Sequence, residues 1–329
     1  MRTLSALLLI AGVVLSCARV LALPDDARVP VLTYHSWDIR HDPETGTCDV
    51  ESEALARDLD IIYNAGFTVI PAYWLAQWVR GERDGATLPP RAVVITIDDG
   101  HDADYLDNIW PYHPCAPIRS IRSVLEDAAA WDWGGPEGMP VPHASLFVIG
   151  SPAARELIDA GGSRDGGWMN DNWWSSAHYH PLLEVYNHSL DHDHNAIPAD
   201  TYDEHIEVEL TAGGGQGQMT SRRIDTHAKN DLYVALAAEY ITARIGMWPD
   251  LFAYPFGPAS TYAVQDYFPR YAHEHGTVAA FCTDGGANRY VTLQSDPFCL
   301  PRFVHRSSPA FGGWRDADEL RAILRAAGR

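Results

Sequence analysis

Hydrophobic positions in this chain fall into short apolar runs separated by amphipathic segments. Arg28 to Tyr34 (RVPVLTY) and Arg91 to Ile97 (RAVVITI) are nearly continuous apolar runs of strand length, as expected of strands buried on both faces. Phe67 to Ile70, Ser145 to Ile149, Leu183 to Tyr186, Leu251 to Tyr254, Val278 to Phe281 and Phe303 to His305 are shorter strand candidates. Between them, Leu55, Leu59 and Ile62 recur at helical spacing within Glu53 to Ala65, and Gly66 is placed to end that helix. Tyr73 to Arg80, Ser120 to Ala130, Leu232 to Ile245, Tyr262 to Glu274 and Ala317 to Ala327 also read as helices. Strand and helix alternating at this pitch predict an α/β fold, a distorted (β/α) barrel of about seven parallel strands. Trp131 to Gly138, Gly161 to His180 and Thr211 to Asn230 are rich in Gly, Trp and polar residues. They read as long loop insertions at the C-terminal face of the barrel.

The N-terminus departs from this alternation. Met1-Arg2 carries positive charge, Leu4 to Leu15 is almost wholly apolar, and Val20-Leu21-Ala22 offers a cleavage site. Residues 1–22 therefore read as a signal peptide, followed by one domain over 28–329. Pro24-Asp25-Asp26 follows too soon for a stable membrane span. The alternative is a lipid anchor at Cys17, after Val14-Leu15-Ser16. On either reading the protein is extracytoplasmic, secreted or periplasmic.

Cysteine usage agrees with export. Without Cys17, four remain: Cys48, Cys115, Cys282 and Cys299. Three pairings are open, and the short loop between two strands favours Cys282 with Cys299, hence Cys48 with Cys115. The formal charge of −20 disfavours nucleic acid as a partner.

Candidate chemistry lies where parallel barrels keep it, at the C-terminal ends of strands. His35, Asp98-Asp99, His188 to His194 and Pro255-Phe256-Gly257 each follow a predicted strand. Two adjacent carboxylates after an apolar strand repel one another unless a cation or a shared proton intervenes, although a helix cap and solvated turn would give the same sequence. Asn187 to His194 packs three imidazoles, at 188, 192 and 194, directly after LLEVY. Two histidines four apart plus one carboxylate make a three-ligand metal site with open positions, against the alternative of a His-rich surface loop.

These segments resemble the polysaccharide deacetylases, the NodB-homology or carbohydrate esterase family 4 enzymes. Thr96-Ile97-Asp98-Asp99-Gly100 is similar to their T-F-D-D-G signature, and His188-Ser189-Leu190-Asp191-His192 to H-[ST]-x-x-H. Ala253-Tyr254-Pro255-Phe256-Gly257 resembles R-x-P-Y-G with Ala in place of Arg, and Ser145 to Gly150 resembles A-T-F-F-V-x-G. Val29 to His35 resembles the first strand of the poly-N-acetylglucosamine deacetylase branch.

The resemblance implies a hydrolase that removes acetyl groups from N-acetylated sugar polymers such as poly-N-acetylglucosamine, chitin-like chains or peptidoglycan. It implies a divalent metal, most often zinc, on Asp99, His188 and His192, with Asp98 as general base. Substrate-side contacts would come from Tyr254, Pro255, Phe256 and Gly257, the Phe256 backbone N–H sharing the oxyanion charge. The general acid would be His35, as in the branch whose acid lies on the first strand, or His305 in the more usual late position. Ala253 removes the arginine that orients the base, and Arg302 is the candidate to replace it. His194 reads as either a third imidazole ligand or a spare, and Asp191 and Asp193 as either acceptors that hold the histidine rings or solvated carboxylates. An acetylxylan O-esterase would use the same site, and a silent carbohydrate-binding or exopolysaccharide-assembly protein would keep the barrel without turnover.

Sugar binding has a separate argument. Eleven tryptophans is a heavy load, and Trp131, Trp133, Trp168, Trp173 and Trp174 fall in predicted loops. They read either as platforms for pyranose faces or as pins that hold the insertions to the barrel.

Overall fold

The computed structural model describes residues 22–134, 141–162, 166–192, 224–283 and 289–328. Nine parallel strands form one sheet, in the order Leu300–Pro301, Ala279–Cys282, Leu251–Ala253, Leu183–Asn187, Ala144–Val148, Ala92–Asp99, Val29–Tyr34, Phe303–His305, Gly313–Trp314. The sheet curls into a half-barrel, the distorted barrel expected from the alternation of strands and helices. Two of the nine strands are only two residues long, too short to register as apolar runs.

Side-chain alternation divides the core into two layers. Val29, Val31, Val94, Phe147, Tyr186 and Phe281 belong to one apolar cluster, while Leu32, Tyr34, Val93, Ile95 and Ile97 belong to another that packs against helices. Helix Glu51–Asn64 is bolted to the sheet through Asp58, whose Oδ2 accepts from the Tyr34 hydroxyl at 3.0 Å and the Trp314 indole at 2.9 Å. Both expected disulfides form, Cys48–Cys115 and Cys282–Cys299. No helix among the described residues is long and apolar enough to cross a membrane. Residues 1–21 of the signal segment, with Cys17, and Asp193, His194 and the glycine run at 213–215 lie outside the described residues.

Several elements differ from the sequence expectation. Pro152–Gly162 is a helix, and Trp174–His178 forms another inside the stretch read as a loop. Tyr262 to Glu274 is not one helix. Ala263–Tyr267 is π-helical, Pro269 sits without a backbone donor inside the short α-turn Phe268–Arg270, and Tyr271 separates that turn from Ala272–His275. Trp131 and Trp133 lie at the foot of the barrel: the Thr68 hydroxyl donates to the Trp133 carbonyl, and Thr68 pairs with Ala92 at the start of its strand. The preceding helix, Ile121–Ala128, has already returned the chain to that end.

The tryptophans act mainly as pins. Trp133, Trp173 and Trp174 are buried, Trp131 stacks on Trp133, and Trp168 meets Trp110 edge to face. Register then sets the site. Asp99 pairs with Val148 and Val148 with Asn187, so Asp99 and His188 emerge at one level, two strands apart.

Candidate active site

Asp98 continues the inward-facing series of Val94 and Thr96 on its strand, which places its carboxylate in the barrel mouth. Strict alternation would send Asp99 to the opposite face. Its backbone instead takes φ 83°, a left-handed conformation, and the two carboxylates come to share one site. Gly100 follows with φ 76°, and a Cβ there would lie 2.8 Å from the side chain of Val148, so only glycine fits the turn. Ser189 and Phe256, next to the other site residues, are also left-handed, at φ 74° and 56°. Such backbone costs roughly 1–3 kcal/mol per residue and clusters where function over-determines the geometry.

Asp99, His188 and His192 converge. His192 Nε2 lies 3.3 Å and His188 Nε2 3.6 Å from Asp99 Oδ1, and one ligand atom from each residue falls within 4.8 Å of the others. His188 Nδ1 sits 2.9 Å from the Ala253 carbonyl. A carbonyl only accepts, so Nδ1 donates to it, which turns Nε2 toward Asp99. For His188 the orienting acceptor is therefore this backbone carbonyl. Asp99 Oδ1 and His188 Nε2 are buried and have no hydrogen-bond partner among the described residues. Two imidazoles and one carboxylate whose facing atoms are unsatisfied fit a divalent cation such as zinc.

The electrostatics separate the two aspartates by partner. Burial alone would raise Asp99, but the imidazoles of His192, His188 and His35 outweigh it and hold the carboxyl far below the ordinary carboxylate range. Burial also opposes ionisation of Asp98, and here Arg302 overcomes it, with His188 and His35 adding to the effect. Arg302 Nη1 donates to Asp98 Oδ1 at 2.7 Å, and both side chains are almost wholly buried. The guanidinium thus arrives from a different strand end than the motif position now held by Ala253. His192 is pushed down to about 4, chiefly by burial and against the pull of Asp99.

The two histidine candidates for the acid have different surroundings. His35 is half-buried beside Trp37 and acts electrostatically on both Asp98 and Asp99. His305 is bonded through Nδ1 to Glu51 Oε1 at 2.8 Å and is packed between Tyr34 and Trp314. Of the Tyr254-to-Gly257 segment, Phe256 is half-exposed with its ring 4.3 Å from that of His192. The Tyr254 side chain runs the other way, into the core, and its hydroxyl donates to the Phe298 carbonyl.

Two residues at the site were not anticipated from sequence. Trp37 Nε1 donates to Asp99 Oδ2 at 2.7 Å. Glu51 gathers His305, the His35 backbone N–H and the Arg306 guanidinium around one buried carboxylate. Position gives a signal for Trp37, which lies two residues beyond His35 at the same strand end. Glu51 looks in sequence like an ordinary acid in the first turn of a helix.

No family model matches the chain, and no curated protein matches it by sequence. Solved structures do match its fold. IcaB from Ammonifex degensii superposes at TM-score 0.54 with 14% identity, covering 94% of this chain and 100% of that one. A polysaccharide deacetylase from Bacillus cereus superposes at 0.51 with 14% identity, covering 91% and 69%. The Streptococcus pyogenes deacetylase PplD, solved with acetate, gives 0.51 and 13% identity over 85% and 92%. In architecture, this chain has the fold of these solved polysaccharide deacetylases.

Proposed function

We propose that the domain over 28–329 is an exported, metal-dependent deacetylase that hydrolyses N-acetyl groups on N-acetylhexosamine polymers. The observation that carries this reading is the pairing of two differently partnered aspartates: Asp99 turned to two imidazoles, and Asp98 held by Arg302. Asp99 Oδ1 and the Nε2 atoms of His188 and His192 would hold the cation. When bound, a divalent ion, zinc by the nature of these donors, supplies Lewis acidity toward water and toward the acetyl carbonyl.

The chain's own groups account for the proton transfers. Asp98, kept ionised by Arg302, takes the proton from the attacking water through Oδ2, the oxygen not engaged by the guanidinium. The Phe256 N–H, presented by left-handed backbone, would donate to the oxyanion that develops on the acetyl group. His35 would protonate the leaving nitrogen. It is preferred to His305 because Glu51 already engages the His305 ring and no such bond ties the His35 imidazole among the described residues. Arg302 weighs against the silent-protein alternative, since it brings to Asp98 a cation that Ala253 does not supply.

Acetate release from chitooligosaccharides, poly-N-acetylglucosamine, peptidoglycan and acetylxylan tests the reading. Release from at least one N-acetylated polymer is expected. Release from acetylxylan alone would replace it with the O-esterase, and no release from any substrate in zinc-loaded protein would refute it.

A further inference from the structure

Trp37 combines features that packing alone does not explain. The residue is 47% exposed, yet its indole N–H makes a 2.7 Å bond to Asp99, a buried carboxylate. The bond falls on Oδ2, while Oδ1 of the same carboxylate, 3.3 and 3.6 Å from the two imidazoles, has no hydrogen-bond partner among the described residues. The turn that carries Trp37 is anchored on both sides. Before it, the His35 N–H donates to Glu51; after it, the Asp38 carbonyl accepts from Arg306 Nη1 at 2.7 Å, and the Asp38 carboxylate pairs with the same guanidinium. The Asp38 N–H closes the turn onto the His35 carbonyl. A half-exposed indole is thereby held in one place by groups that are themselves fixed.

Resting on the metal-site reading above, we infer that Trp37 is a positioning residue that makes Asp99 a one-oxygen ligand. A carboxylate can offer a cation one oxygen or both. With Oδ2 turned to the indole, Oδ1 is the oxygen that faces both imidazoles, and the coordination position that a second oxygen would occupy stays open. The donor is also neutral. Lysine or arginine in its place would fix the carboxylate equally well, but its positive charge would oppose the cation. Partners of this kind, which orient a ligand without touching the metal, typically change affinity by about 10–100-fold when removed.

The test is zinc affinity of the full chain, measured by competition with a chromophoric chelator, for wild type and Trp37→Phe. Phenylalanine keeps an aromatic ring and loses the donor. We expect the zinc dissociation constant to rise about 10–100-fold. The cobalt(II)-substituted variant should show a weaker visible absorption than wild type, as Asp99 becomes free to offer both oxygens and the coordination number rises. Equal zinc affinity together with an unaltered cobalt spectrum would overturn the inference, provided the metal-free forms melt together.

Should Trp37→Phe fail to fold, wild-type protein carrying ¹⁵N-labelled tryptophan supplies the second measurement. One indole N–H resonance should shift on zinc addition and exchange slowly with solvent despite the exposed ring. If no indole resonance responds to zinc, the inference fails. Failure of the underlying reading looks different: wild type that binds no zinc would remove both. A zinc-binding wild type with a weakened Trp37→Phe variant, but no acetate release, would support Trp37's role while removing the deacetylase reading.

Discussion

Arg302 and Asp98 stand 204 residues apart in the chain and form a buried ion pair at 2.7 Å. Arg302 is 1% exposed and also approaches the Thr96 hydroxyl. Removing one partner of such a pair strands the other charge in a low-dielectric site. Arg302→Ala should therefore destabilise the protein by about 3–5 kcal/mol, read from urea unfolding. Arg302→Lys should recover part of this, since the charge returns without the planar fork. A change below about 1 kcal/mol in Arg302→Ala would mean that the pair is far less isolated from solvent than its burial indicates.

The divided partners of the two aspartates predict divided phenotypes. Asp99→Ala removes the carboxylate that faces both imidazoles and should abolish zinc binding, measured by metal content after dialysis. Asp98→Asn keeps an oxygen that can accept from Arg302 but removes the base, so metal content should stay near wild type while turnover falls about 10²–10⁴-fold. Equal metal loss in both variants would contradict the separate roles.

How much of this could be read from the sequence depends on where the information lies. Asp98-Asp99 and His188 with His192 were legible because each pair is contiguous or four apart and directly follows an apolar strand. Arg302 was legible only as a candidate for a missing charge; its contact depends on Phe303–His305 pairing beside Val29–Tyr34, a non-local fact. The φ of 83° at Asp99 leaves no trace in a hydrophobic pattern, though it overturns the alternation on which that pattern rests. Trp173 and Trp174 sit near Gly- and Asp-rich sequence and read as loop, but tertiary packing buries both. In the segment 262–274, apolar spacing predicts one helix and carries no sign of the π-helical stretch Ala263–Tyr267 or of the break at Tyr271.

Disulfides should contribute unequally. Cys48–Cys115 spans 67 residues and Cys282–Cys299 spans 17. If constraint of the unfolded chain dominates, these loops correspond to about 4.4 and about 3.1 kcal/mol. Cys48→Ser with Cys115→Ser should accordingly lower the melting temperature more than Cys282→Ser with Cys299→Ser. The reverse order would mean that local native contacts, not loop closure, govern what each bond contributes.

His143 at the foot of the barrel predicts acid lability. It is 2% exposed, and burial pushes its imidazole down to about 3, with repulsion from His180 adding to the shift. The folded protein then binds this proton less readily than the unfolded chain does. Stability is complete above the ordinary value of 6.5 and is lost as pH falls toward 3, by up to about 1.4 kcal/mol per pH unit. His143→Gln removes the titration, so its melting temperature should fall less than that of wild type between pH 7 and pH 5.

Asp250, also at the foot of the barrel, has the opposite sign. Burial pushes its carboxyl up to about 6, the charge of Glu184 adds to this, and Arg80 partly offsets it. Here the folded state holds the proton more tightly than the unfolded chain. The associated stability is present below the ordinary 3.8 and is lost as pH rises through 6, when the carboxylate must ionise in a half-buried place. Asp250→Asn keeps the shape and removes the charge. It should raise the melting temperature at pH 7.5 and leave it nearly unchanged at pH 4, measured by calorimetry in matched buffers. A gain of the same size at both pH values would assign the effect to packing or hydrogen bonding, because only ionisation distinguishes the two conditions.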